Sequence, residues 1–109
     1  MAHLSFEYSA NLEQSMNLQA FCDAMRDIMR DSGIFPLGGV RVRGTRVDVC
    51  TVADGHPHLG FIDITVRMGQ GRDEDTRTEV TETLYSAAED WLSPRIGETP
   101  VALSLEIME

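Results

Sequence analysis

The segment HLGFIDITVRM, residues 58–68, decides how the rest of the chain is organised. Apolar side chains dominate it, with several β-branched residues among them. Such a strongly apolar strand is typical of one that is buried on both faces of a sheet. Glycines at positions 69 and 71 turn the chain immediately afterwards. We therefore expect a central strand that ends at a tight turn.

A helix and another strand follow this turn. Asp73 is placed as the N-cap of the helix, and Pro94 and Gly97 are placed to stop it. The apolar stripe of the helix consists of Val80, Leu84, Ala87, Ala88, Trp91 and Leu92. Residues 100–108, PVALSLEIM, then alternate apolar and polar side chains, as a strand with one covered face does. These segments predict a β–α–β unit.

The first half of the chain repeats this order. Residues 3–9, HLSFEYS, alternate as a strand, and residues 12–31 form a helix that Gly33 ends. The stripe of this helix consists of Leu18, Phe21, Cys22, Met25, Ile28 and Met29. Residues 40–51 supply the next strand. Its apolar set changes parity across Gly44, which predicts a bulge or bend there.

The sequence therefore predicts an α/β (α+β) fold of two consecutive βαβ units. We expect a four-stranded mixed sheet with both helices on one face, because each crossover helix connects parallel strands with the same hand. The length of 109 residues fits a single domain, with a pseudo-repeat of residues 1–55 and 56–109. One sheet face would stay bare, and apolar positions there would favour an oligomer.

Composition excludes several classes of function. The net charge of −9 argues against binding to nucleic acid or to an anionic membrane, both of which need basic patches. No apolar run reaches the length of a membrane span, and the N-terminus opens no signal peptide. We expect a cytoplasmic protein. Cys22 and Cys50 show no metal or redox spacing, so buried reduced thiols are predicted.

A group of arginines stands out in this acidic chain. Residues 33–44, GIFPLGGVRVRG, place Arg41 and Arg43 on the same side of a strand start, not far from Arg46. Two interpretations stay open. The guanidinium groups belong to a solvated face neutralised by acidic side chains, or they face an anionic small molecule. The chain has no lysine, and arginine binds carboxylates in a bidentate manner.

Two further segments invite a ligand. Residues 69–72, GQGR, form a strand-to-helix turn whose N–H groups could bind an anion, and Arg72 could share a ligand with Arg41. The turn is not a dinucleotide fingerprint, because position 74 is glutamate and acidic residues surround it. Residues 54–58, DGHPH, contain ordinary turn chemistry and predict a loop rather than a metal site.

These residues together resemble a known family. The blocks are GIFPLGGVRVR at 33–43, ADG at 53–55, GQGR at 69–72 and ALSLEI at 102–107. Over nearly the whole chain the sequence resembles the 5-carboxymethyl-2-hydroxymuconate isomerases of the tautomerase superfamily. The resemblance implies a tautomerase-like fold and a homotrimer whose sheets turn inward.

The resemblance also implies a function. The family isomerises an unsaturated polycarboxylate dienol in aromatic-compound catabolism by proton transfer, without a cofactor or metal. Arginines that match Arg41 and Arg72 would hold substrate carboxylates and stabilise the developing dienolate. Arg43 is a further substrate-binding candidate, since alternation gives it the same face as Arg41.

The chief departure from the family lies at Ala2. The family uses an N-terminal proline, exposed by removal of the initiator methionine, as its proton carrier, and Ala2 occupies the matching position. A free α-amine at Ala2 could still act as the base, whereas retention of Met1 would leave a peptide amide. A second departure lies at the C-terminus, because the family carries a further tail where this sequence stops at Glu109. We expect any site contacts from such a tail to be missing here or supplied differently.

Three functional interpretations therefore stay open. The first is an isomerase that uses the N-terminus at Ala2. The second is a non-catalytic or altered trimer that binds a small carboxylate, and the alanine favours it. The third is a related tautomerase or dehalogenase that acts on another unsaturated acid, because one fold hosts several reactions.

Overall fold

The computed structural model describes residues 2–97 and 100–109, so Met1, Glu98 and Thr99 lie outside the described part. It contains four strands and two α-helices. The elements are β1 (Ala2–Ser9), α1 (Leu18–Asp31), β2 (Val40–Val47), β3 (Gly60–Met68), α2 (Glu74–Ile96) and β4 (Val101–Met108), with short 3-10 turns at Ala10–Gln14 and Leu37–Gly39.

The four strands form one mixed sheet in the order β2-β1-β3-β4. Each helix connects a parallel pair, β1 with β2 and β3 with β4, and the two units meet where β1 and β3 pair antiparallel. The predicted fold class of two βαβ units is therefore confirmed. The order puts β1 and β3 at the centre of the sheet and β2 and β4 at its edges.

Both helices pack on one face of the sheet. Every second side chain of β1 and β3 points into the core that the helices cover. The fully or nearly fully buried apolar residues include Leu4, Phe6, Phe21, Met25, Met29, Ile62, Ile64, Val66, Val80, Leu84 and Ala88. In the described part of the chain, neither helix combines the length and apolarity needed to cross a bilayer.

The opposite, open face of the sheet is polar. We predicted β3 to be buried on both faces, and this prediction is wrong for the single chain. The outward side chains of β3 include Asp63 and Arg67, which are exposed. In the β1 register His3 pairs with both Arg41 and Arg67, and Glu7 pairs with Asp63. One end of the open face is thus cationic and the other acidic.

The helix boundaries differ from the predicted ones. α1 begins at Leu18 rather than at position 12, because Asn17 is its N-cap and accepts a hydrogen bond from the Ala20 N–H at 3.1 Å. α2 passes through Pro94 and ends at Ile96. Its stop is Gly97, whose φ of 57° is the left-handed conformation that glycine adopts easily.

The second strand also differs. β2 ends at Val47 instead of reaching position 51, and Val49 is 91% exposed. Cys50 lies in the loop that follows and is exposed, so its predicted burial is wrong. Cys22 is partly buried, and burial, with the charge of Asp23, raises the pKa of its thiol. The two cysteines therefore differ in environment.

The predicted bulge at Gly44 is absent, because the pairing of β1 with β2 continues without a break. The apolar set changes parity because β2 ends at Val47 and the exposed Val49 lies beyond the strand. The glycine itself has a separate reason. The ring of Phe6 lies against Gly44, and a Cβ at that position would stand only 2.3 Å from Cζ of Phe6. Glycine is therefore required by the close approach of a buried aromatic ring.

We expect Gly44→Ala to lower the free energy of unfolding by about 1–3 kcal/mol, because the new methyl group overpacks the ring of Phe6. Urea denaturation measures the change. Gly38→Ala is the matched control, since a Cβ there would meet nothing within 4 Å. Equal unfolding midpoints for the two variants would show that the ring moves aside freely.

Candidate active site

One end of the sheet brings three distant parts of the chain together. Ala2 at the start of β1 pairs with Val40, which starts β2, and with Met68, which ends β3. The connection at residues 33–39 enters this end, and the connection at residues 69–73 leaves it. The sheet register therefore gathers the N-terminus, the GIFPLGG segment and the GQGR turn.

Arg41 stands at this end on an exposed position. Its Nη1 donates hydrogen bonds to the carbonyl oxygens of Gly38, at 2.9 Å, and Val40, at 3.0 Å. The guanidinium group is thereby folded back onto the turn that precedes β2. Nε and Nη2 make no protein hydrogen bond among the described residues.

Arg72 is held by two connections at once. Its Nη1 donates to the carbonyl of Gly69 at 3.1 Å, and its Nη2 donates to the carbonyl of Ile34 at 3.5 Å. Its Cζ lies 5.6 Å from the centre of the Phe35 ring, and Phe35 is 6% exposed. Arg72 thus links the GQGR turn to the GIFPLGG segment, where Arg41 is also anchored.

Neither guanidinium group is neutralised by the protein. Within residues 2–97 and 100–109, no carboxylate forms a salt bridge with Arg41 or Arg72, and their acceptors are uncharged carbonyls. The adjacent Asp73 is engaged elsewhere, since it accepts a hydrogen bond from the Thr76 N–H at 2.8 Å. That bond lowers the pKa of the Asp73 carboxyl. Two positive charges at this end are therefore available to an anion.

Arg46 fits the interpretation in which acidic side chains of the protein neutralise the arginine. It lies at the far end of β2, where it forms salt bridges with Glu13 at 3.3 Å and with Asp48 at 2.9 Å. Acidic side chains of the protein itself therefore neutralise Arg46. The contrast separates a structural arginine from Arg41 and Arg72, which have no carboxylate partner among the residues that the structure describes.

Arg43 is placed differently from the other two candidates. It pairs with Ser5 in the sheet register, one row further from the sheet end than Arg41 and His3. Its side chain is exposed on the open face. The structure therefore brings Arg41 and Arg72 to one end and places Arg43 along the sheet.

Ala2 is fully buried between its strand neighbours and on the helix-covered face. Met1, on which the chemistry of this position depends, lies outside the described residues. In a chain that begins at Ala2, apolar surroundings would disfavour the charged form of its amine.

Sequence reasoning missed Arg67. It lies opposite His3, which in turn lies opposite Arg41, so three cationic or titratable side chains form one row across three strands. The signal was present, because Arg67 and Asp63 share the non-core parity of β3. Arg67 was overlooked because β3 was interpreted as a strand buried on both faces.

The DGHPH segment forms a loop. The side chain of Asp54 accepts a hydrogen bond from the His56 N–H at 3.2 Å, and Nδ1 of His56 accepts one from the His58 N–H at 3.3 Å. These contacts are local turn contacts, as the sequence indicates. The loop follows β2 at the end of the sheet opposite to Arg41 and Arg72.

Comparison with known proteins agrees with this arrangement. A family model described as 5-carboxymethyl-2-hydroxymuconate isomerase matches residues 2–109. The chain belongs to the 5-carboxymethyl-2-hydroxymuconate isomerase family. The match spans both connections that hold Arg41 and Arg72, and it begins at Ala2.

Individual members of the family are similar over the full length. The Escherichia coli 5-carboxymethyl-2-hydroxymuconate Delta-isomerase is 29% identical over 109 residues, which are 100% of this chain and 86% of that protein. A crystal structure of a 5-carboxymethyl-2-hydroxymuconate delta-isomerase has a TM-score of 0.90 at 32% identity, covering 99% of this chain and 82% of that one. Family members bearing this name are isomerases, which supports an isomerase role.

The fold extends beyond the family. A fused 4-OT symmetric trimer, 16% identical, has a TM-score of 0.60 over 97% of this chain and 85% of that one. At this identity the similarity concerns the fold alone. Together with the isomerase structure above, this similarity confirms the tautomerase-like fold that the sequence predicted.

A prediction concerns the structural cluster at the far end of the sheet. Tyr8 donates a hydrogen bond to Glu13 at 2.8 Å, and this bond, followed by the contact with Arg46, lowers the pKa of Glu13. Ionised Glu13 thus stabilises the fold above its ordinary pKa of 4.5, and this contribution is lost as the pH falls through the lower folded value. We expect Tyr8→Phe to raise the pKa of Glu13, measured by carboxyl NMR titration.

The other tyrosine supplies the control for this titration. Tyr85 donates to the carbonyl of Leu103, so Tyr85→Phe should leave the titration of Glu13 unchanged. An unchanged midpoint in Tyr8→Phe would mean that the phenol does not stabilise the carboxylate.

Proposed function

We propose that this protein is a cofactor-independent isomerase of an unsaturated polycarboxylate dienol of the 5-carboxymethyl-2-hydroxymuconate type, acting in aromatic-compound catabolism. The observation that carries the proposal is a pair of guanidinium groups, Arg41 and Arg72, at the sheet end that holds the start of β1. In the described part of the chain neither forms a salt bridge with a carboxylate. Family membership supports the same reaction class.

The two arginines bind the substrate in this proposal. Each guanidinium group carries five N–H donors and forms two hydrogen bonds to backbone carbonyls. Donors therefore remain for a carboxylate of the substrate. An arginine can hold a carboxylate through two parallel bonds. Negative charge develops on the dienolate during proton transfer, and fixed positive charge beside it lowers the barrier. Arg43 is proposed as a peripheral contact on the open face.

The nitrogen of Ala2 carries the proton in this proposal, after removal of Met1. A free α-amine has an ordinary pKa of about 7.7–8.0, and its apolar position shifts the balance toward the neutral base. The amine would take the proton from the hydroxyl oxygen of the dienol, which becomes a carbonyl oxygen, and return that proton to a carbon further along the conjugated system, where a double bond is lost. A primary amine replaces the secondary amine of the family's proline in this role.

The proposed assembly is a cytoplasmic homotrimer. A related fold has been solved as a symmetric trimer, which supports oligomerisation. The open sheet face, with its cationic row at one end and Glu7 and Asp63 at the other, is the surface proposed to turn inward. Contacts across such a face would be polar rather than hydrophobic.

One observation favours a second candidate function. Position 2 is alanine, and it is fully buried. If Met1 stays in place, position 2 has only a peptide amide, and the protein would be a non-catalytic trimer that binds a small carboxylate through Arg41 and Arg72. Intact mass distinguishes the candidates, since only a chain without Met1 has a free amine at Ala2.

We expect the purified protein to have lost Met1 and to ketonise the dienol faster than buffer does. Ala2→Pro should be faster still, because it restores a secondary amine, and the first residue of a strand tolerates proline. Stopped-flow ultraviolet absorbance measures the rate of ketonisation for both proteins. The absence of a rate above buffer in both would eliminate the isomerase assignment.

We expect Arg41→Ala and Arg72→Ala each to lower kcat/KM by about 10²- to 10³-fold, the usual loss for one group that stabilises an oxyanion. Arg46→Ala is the matched control, because it removes the same charge at the opposite end of the sheet. Size-exclusion chromatography checks the assembly. Dissociation of the Arg41→Ala protein into monomers would make that arginine structural instead.

A further inference from the structure

The GIFPLGG segment contains a buried aromatic residue with an unexpected neighbour. Phe35 is 6% exposed, and the guanidinium carbon of Arg72 lies 5.6 Å from the centre of its ring. A guanidinium group within about 6 Å of an aromatic centroid is attracted to the negative face of the ring. The contact joins residues 37 positions apart, so the sequence gives no direct sign of it.

Two backbone carbonyls complete the surroundings of Arg72. The carbonyls of Gly69 and Ile34 accept from Nη1 and Nη2, respectively. The ring of Phe35 limits the remaining freedom of the Arg72 side chain. It also restricts the side from which a ligand can approach the guanidinium group. These three partners carry no charge, so they orient the guanidinium group without neutralising it.

We propose that Phe35 is a positioning residue for Arg72. Its ring holds the guanidinium plane so that the donors not engaged by Gly69 and Ile34 are presented to a carboxylate of the ligand. The role of that carboxylate as substrate rests on the proposed function. The orientation of Arg72 by Phe35 is a property of the protein itself and is tested separately.

The first test reads the orientation directly. The chain contains nine arginines and no lysine, so its arginine Nε–H region in an NMR spectrum is small enough to assign, and Arg72→Lys identifies the signal of Arg72. We expect Phe35→Leu to shift this signal by removing the ring current and to speed its exchange with water. Phe35→Tyr should restore most of the original chemical shift and of the original exchange rate, because it keeps the aromatic face.

A matched control separates orientation from general loss of packing. Phe21 is fully buried, lies edge-to-face with Phe6 at 5.0 Å between ring centres, and has no guanidinium neighbour among its described aromatic contacts. Phe21→Leu removes an equivalent ring from the core. It should lower stability without moving the signal of Arg72.

The second test measures the binding of adipate, a simple unreactive dicarboxylate, by isothermal titration calorimetry. We expect Phe35→Leu to weaken adipate binding by about 3- to 30-fold, the range of a cation–π contact, and Phe35→Tyr to restore it. With the dienol, the same variant should lower kcat/KM mainly through KM. Phe21→Leu should change neither quantity.

The outcomes are distinguishable. An unchanged Arg72 signal in Phe35→Leu, or equal losses of adipate binding in Phe35→Leu and Phe21→Leu, would overturn the positioning role. A shifted signal and weakened adipate binding would support it even if no variant isomerised the dienol, and only the proposed function would then fail.

Discussion

The antiparallel pairing of β1 with β3 is the constraint on which the rest of the structure depends. It fixes Ala2 opposite Met68, while the parallel pairing on the other side fixes Ala2 opposite Val40. A shift of one residue in either register would turn the buried face of β1 toward solvent. The same pairings therefore secure the core and assemble the candidate site.

The presence or absence of a carboxylate partner distinguishes the arginines of this chain more clearly than their position does. Arg46 has two carboxylates within salt-bridge distance, whereas the hydrogen bonds of Arg41 and Arg72 in the described part of the chain go to backbone carbonyl oxygens. A protein with net charge −9 has ample acidic residues for every arginine. Among the described residues, Arg41, Arg72 and Arg67 lie at one end of the sheet without a carboxylate partner, which supports an anionic ligand there.

Much of the fold could be predicted from the sequence because alternation and helical stripes are local signals. The two βαβ units followed from them, whereas the ends of β2 and α1 did not, since Asn17 and the loop after Val47 decide those ends. Gly44 was misread as the site of a bulge because the ring of Phe6, whose close approach requires a glycine there, is distant in sequence. Exposed polar positions in β3 were overlooked beside its apolar ones.

The candidate site was predictable to a different degree. Arg41 and Arg72 were found through turn chemistry and family resemblance, and the register brings their segments to one end of the sheet with Ala2. Their carbonyl partners and the contact with Phe35 arise only from the packing of two loops. The row that contains Arg67 required the register of three strands, which a sequence pattern does not contain.

The separation of charge on the open face has a kinetic consequence. A polycarboxylate is repelled by the molecule as a whole but meets a local positive potential at the end marked by Arg41, His3 and Arg67. Diffusional encounter is then guided toward that end, and its rate depends on how far the potential extends into solution. At physiological ionic strength that distance is about 8 Å, so the guidance acts only over the last layers of water.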